Sequence, residues 1–193
     1  MVKSQEDSQA GGVKYWSAFL EWCSLIERNL VMYRWIVFLH VLGAFAFVMA
    51  HGASANAAFK LRGERSRERI AAILDLSSAY LNVMYLTLLV MLLSGILVGF
   101  LGKWWGQGWI WLSLGLLVIE FIAMWIVATR PFVQLRKAAG LPYFDGTKSH
   151  PAVQPASEEE IAARASAINP MLITVVGFGG LALIVWLMMF KPF

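Results

Sequence analysis

Four long apolar stretches, separated by polar segments rich in glycine, proline or charge, set the pattern of this chain. The first, Tyr33 to Ala50, carries one cation, Arg34, at its start and otherwise only apolar residues, Gly43 and His40. A hydrocarbon core of about 30 Å needs roughly 20 helical residues at about 1.5 Å each, so a run of this kind crosses a bilayer. The same rule predicts spans at about residues 33–50, 81–100, 109–129 and 170–190. The expected fold is all-α: a polytopic membrane protein built as a four-transmembrane-helix bundle.

The punctuation between these stretches predicts how they connect. Alanine-rich HGASANAAFKLR extends the first helix to Gly63, and ERSRERIAAIL restarts a helix with Ser66 as its cap. Gly102 to Gly108 is long enough only for a turn between antiparallel helices. Its tryptophans, with Trp109 and Trp111, form an aromatic belt that marks one membrane face. Arg130-Pro131 is expected to end the third span, because proline breaks the hydrogen-bond ladder. Residues 130–169 then read as a linker holding one short helix, opened by a capping box at Ser157 and Glu160. Asn169-Pro170 starts the last span, whose Gly177, Gly179 and Gly180 predict close approach of a neighbouring helix.

Ahead of the first span, residues 1–13 are polar and read as a flexible tail. In residues 14–31, Trp16, Phe19, Leu20, Cys23, Ile26 and Leu30 recur at helical spacing. That pattern predicts an N-terminal interfacial amphipathic helix, with docking on a partner subunit as the competing use of the same apolar face.

Composition narrows the class. The 193 residues are 59% hydrophobic and 15% charged, with a mean hydropathy of +0.64, which excludes an ordinary soluble domain. The net charge of +4 sits in loops between apolar spans, where it speaks of topology and of the lipid bilayer and not of nucleic acid. Of 16 Lys and Arg residues, ten fall in segments 51–80 and 130–169, five of them between Lys60 and Arg69. Those two loops are expected to be cytoplasmic, with both termini outside a cell membrane. No apolar run opens within the first dozen residues, so no removable signal peptide is expected. The lone Cys23 excludes an internal disulfide.

Few residues carry chemistry. His40 and Glu120 both fall near the bilayer midplane, where ionisable groups turn inward and find partners. A His40–Glu120 polar centre is therefore expected, with neutral Glu120 donating to the imidazole, because an ion pair there must offset several kcal/mol of desolvation per ion. A structural hydrogen bond between helices answers the same pattern. His40 and His51 are eleven apart, about 20° off one face and about 16 Å along the axis, as in membrane b-type cytochromes. Spans two to four contain no histidine, so a haem b on His40 or His51 would need Met84, Met91 or Met124, or a second subunit. A copper or proton pathway through His40 and Glu120 is the remaining sharp reading, although Met188 and Met189 are adjacent and point apart. His150 reads as a solvated loop histidine. No nucleophile with a base, phosphate loop or paired carboxylates is present, which leans against an enzyme.

The run W-x-x-F-L-H-V-L-G-A-F-A-F, Trp35 to Phe47, resembles uncharacterised four-helix membrane proteins allied to the copper-resistance D group. The resemblance implies a role for His40 and extends loosely over the four spans. Taken together, the residues predict a non-catalytic subunit or small-ligand-binding module of a membrane complex, with other membrane subunits or a homo-oligomer as partners. The alternative is a redox protein holding a b-type haem through His40.

Overall fold

The computed structural model describes the backbone of residues 3–193 and the side chains of residues 30–193. The expected tail, residues 1–13, and nearly all of the expected interfacial helix, residues 14–31, have side chains outside the described residues. Helix α1 is Lys3–Gly63 and α2 is Arg67–Leu101. A single 3-10 turn, Trp104–Gly106, leads to α3, Gly108–Met124. A π-helical turn, Trp125–Thr129, joins α3 to α4, Arg130–Ala138. A two-stranded hairpin follows, β1 (Tyr143–Phe144) antiparallel to β2 (Ser149–His150), then α5 (Glu158–Ala167) and α6 (Pro170–Phe190).

Among the described residues four stretches are long and apolar enough to cross a membrane: Leu30–Gly63, Arg67–Leu101, Gly108–Ala138 and Glu158–Phe190. Each has 31 to 35 residues. That is about 50 Å of helix against about 30 Å of hydrocarbon, so each rod has length to spare beyond the bilayer. Much of the excess lies at one end. There Ala58, Leu61, Ile70, Leu74, Phe132, Leu135, Ile161 and Ile173 form the fully or nearly fully buried core of the molecule. Water drives this packing through the hydrophobic effect. Along the membrane part, where lipid is as apolar as leucine, most large side chains point outward.

Local chemistry accounts for the joints. At the tip of the first hairpin Ser66 occupies the cap position without a side-chain bond; the Glu64 carboxylate ties the turn ahead of it, accepting from Arg65 N at 2.9 Å and Ser66 N at 3.1 Å. These bonds, Ser66's first, hold the Glu64 carboxyl below its ordinary range. The expected cap at Ser157 is present, its hydroxyl accepting from Glu160 N at 3.2 Å. Asn169 does the same for Leu172 N at 3.1 Å, with Pro170 pre-set in the first turn.

The expected stop at Pro131 is corrected. Helix continues through it to Ala138, because the widened turn just before the proline absorbs both the missing N–H and the ring's clash with the preceding turn. Segment 130–169 is accordingly a folded cap and not a plain linker. Arg67 Nε donates to Ala139 O at 3.0 Å, and Ala156 N donates to Ala138 O at 2.9 Å. At the opposite end, Tyr33 meets Trp104 edge-on at 6.3 Å, the Lys191 ammonium lies 4.0 Å over Trp104, and Trp109 N reaches Phe193 O at 3.4 Å. Segments 51–80 and 130–169 thus share one end of the bundle, and the aromatic belt marks the other.

Candidate functional site

The rods are not packed evenly. Helix α1 packs on α2 and on α6, and α6 packs on α3, but α2 and α3 make no close backbone contact among the described residues. The gap between them, floored by α1 and α6, holds a cavity of about 130 Å³. Phe47, Tyr85, Phe121 and Trp125 give it aromatic walls, and His51, Ser77 and Glu120 supply its inner polar groups.

Each of these three polar residues lacks a partner. His51 is 4% exposed, lies parallel to Phe47 at 6.3 Å, meets Phe178 edge-on at 5.1 Å, and keeps an unbonded Nε2. Glu120 Oε1 is buried and unbonded. Ser77 is 1% exposed and its Oγ is unbonded. Other serines in the helices satisfy themselves locally: Ser78 donates to Leu74 O at 3.0 Å and Ser113 to Trp109 O at 2.7 Å. Ser77 does not. Buried polar groups are bonded in the great majority of proteins, so three such residues around one cavity call for an explanation.

Glycines on α6 make room for two of the three. A β-carbon at position 177 would overlap His51 Nε2, and one at position 180 would overlap the Glu120 carboxylate. The expected close helix approach at these glycines is therefore corrected: they admit side chains from α1 and α3, while Gly179 faces nothing within 4 Å. Gly43 is the glycine that admits a neighbouring helix, with the Met91 backbone nitrogen 3.3 Å from where its β-carbon would be.

At the capped end of the cavity lies Arg136, whose guanidinium makes three hydrogen bonds. It donates to Asp75 Oδ1 at 2.9 Å, Ser78 Oγ at 3.0 Å and Pro142 O at 3.0 Å. No hydrogen bond joins it to Glu120.

The direct His40–Glu120 hydrogen bond expected from matching depths is not made. His40 turns to α2, where its Nδ1 donates to Met91 O at 2.8 Å and its ring rests on Gly95. Glu120 turns to α6. Depth along a helix is readable from residue counts, but rotation of one rod against another is not, and here rotation gives Glu120 the company of His51. The two histidines also face different neighbours, His40 on α2 and His51 on α6, so they do not converge on a shared ligand position. Among the described residues no group of three or more His, Cys, Asp and Glu is placed to hold a metal ion. Sequence reasoning missed Ser77 and Arg136, which fall inside residues read as loop. The Gly177 and Gly180 spacing of one helical turn was the signal for a shared recess on α6.

The sequence model of the family described as "Predicted integral membrane protein (DUF2269)" matches residues 34–192, and the chain belongs to that family. Comparison with curated proteins and with solved structures finds no match.

Proposed function

We propose that, within this family of integral membrane proteins, the chain is a non-catalytic membrane module that holds a small ligand in the cavity between α2 and α3. One observation carries the reading: His51, Ser77 and Glu120, each with a buried unbonded polar atom, line one aromatic-walled space. Leaving a buried polar group unpaired costs about 1–3 kcal/mol, so an occupant that satisfies all three gains what the empty protein forgoes. The size suits a few waters or one ring, since an engineered cavity of about 150 Å³ admits benzene. Ten of 16 cations on the capped end favour placing that end in the cytoplasm and both termini outside a cell membrane. Thermal unfolding of the purified chain in detergent, with phenol and benzyl alcohol as probes, tests the reading. Stabilisation by either, abolished in Ser77→Phe where the ring fills the space, supports it; no stabilisation by either sinks it.

A second reading, a b-type haem held by His40, has one observation in its favour. The Met91 carbonyl can only accept, so His40 Nδ1 carries the proton and Nε2 keeps its lone pair, as in metal-ligating imidazoles. His51 does not supply the opposite ligand, because it faces α6. A Soret band in the purified protein that disappears in His40→Ala would establish this reading, and a colourless preparation would remove it.

A further inference from the structure

Building on the cavity reading above, we propose that the occupant is a small hydrophobic amine bound as its ammonium ion, held by the Glu120 carboxylate with Ser77 Oγ accepting a further N–H group. The donor and acceptor inventory points this way. An ammonium carries N–H donors and no acceptor, and the cavity lining includes Glu120 and Ser77, each with a buried unbonded oxygen that can accept. The walls add a second match, because Phe47, Tyr85, Phe121 and Trp125 present aromatic faces that attract a cation and bury a ring.

The charges around the site leave this role open. Facing the cavity are His51 from α1, Tyr85 from α2, Glu120 from α3 and Arg136 from α4, while α6 contributes only Ile173, Gly177 and Leu181. Arg136 bonds Asp75, Ser78 and Pro142, is ion-paired with Asp75, and makes neither a hydrogen bond nor a salt bridge with Glu120. An ionised carboxylate without a partner is too costly at this depth. The empty site accordingly holds Glu120 as the acid, and binding is an exchange: the ammonium enters, the Glu120 O–H bond breaks, and its proton leaves to water. One positive charge enters and one departs. Because α2 and α3 have no close backbone contact, the route in lies between two helices whose outer faces are lipid-exposed, which selects hydrophobic amines over hydrophilic ones.

Calorimetric titration of the full chain in nanodiscs with benzylamine at neutral pH, where it is the ammonium, tests the proposal against benzyl alcohol, its neutral counterpart. Repeating each titration in buffers of different ionisation enthalpy counts the protons released. The expected result is release of about one proton per benzylammonium bound, and none for benzyl alcohol. Glu120→Gln should weaken benzylammonium about tenfold or more, equivalent to roughly 1.4 kcal/mol, and leave benzyl alcohol unchanged. Should that variant not fold, Ser77→Ala removes one acceptor and should weaken benzylammonium about fivefold, some 1 kcal/mol. If the two probes bind equally, without proton release or dependence on Glu120, the ammonium proposal fails and the cavity reading stands. If neither binds a protein whose circular dichroism is intact, both fail.

Discussion

The imidazole of His51 fills the space that a side chain at position 177 would take, so that a histidine on the first span and a glycine on the last are two halves of one fit. Gly180 stands in the same relation to Glu120. The recess on α6 therefore tests the site without touching its polar atoms. Gly177→Ala should destabilise the bundle by about 1–3 kcal/mol, the usual penalty of overpacking against a ring; Gly180→Ala should cost less, because the Glu120 carboxylate is the end of a flexible side chain, and Gly179→Ala should be neutral or slightly stabilising because its β-carbon meets nothing. Thermal unfolding in detergent measures all three. Equal effects at 177 and 179 would contradict the fit.

Glu120→Leu separates a structural carboxyl from a ligand-binding one. Had Glu120 been bonded to His40, leucine would orphan the imidazole and cost on the order of 1 kcal/mol. Since Oε1 has no partner, removing it should leave stability unchanged within about 1 kcal/mol, or raise it. A marked loss of stability in the leucine variant would reveal a structural bond at Glu120.

The spans, the extent of α1 to Gly63, and the caps at Ser157 and Asn169 were legible in the chain because each depends on chemistry within a few residues. Pro131 was misread for the same reason. Its local rule is sound, yet the π turn that ends at Thr129, just ahead of Arg130-Pro131, widens the helix enough to satisfy it. His51 was singled out as a helical residue but assigned to a haem, and Ser77 lay in a segment counted as loop, since hydropathy finds the apolar centre of a helix and not its full length. Their meeting with Glu120 depends on how four rods are rotated, and residue counts carry no information on that.

The hairpin of the cap has its own acid limit. Asp145 accepts from Lys148 N and Thr147 N at 2.8 Å, from Thr147 Oγ1 at 2.7 Å, and pairs with His150 Nε2 at 2.7 Å. These bonds, Lys148's first, hold its carboxyl far below the ordinary carboxylate range. A depressed native value means the stabilisation is complete above about pH 4, where an unfolded aspartate ionises, and is lost as pH falls toward the native value. Hydrogen exchange at Thr147 and Lys148 should stay slow at pH 4 and above and speed up in stronger acid. In Asp145→Ala, which removes the acceptor, it should be fast throughout. Fast exchange in the unaltered chain at neutral pH would contradict the turn.

Orientation is tested by single cysteines in a Cys23→Ser background. With the capped end in the cytoplasm, a cysteine at Gly106 should react with an impermeant maleimide in intact cells and one at Gly146 should be protected. The reverse pattern would place the cap outside.

The cavity itself is the central claim, and labelling Ser77→Cys tests it most directly. In the same cysteine-free background, Ser77→Cys and Ser113→Cys are compared for reaction with a small membrane-permeant thiosulfonate. Both native serines are 1% exposed, but Ser77 lines the cavity and Ser113 is bonded to its own helix. The account predicts that the cysteine at 77 reacts readily, that benzylammonium slows it, and that the cysteine at 113 stays protected. Equal protection at both positions in a folded protein would mean that no accessible cavity exists between α2 and α3.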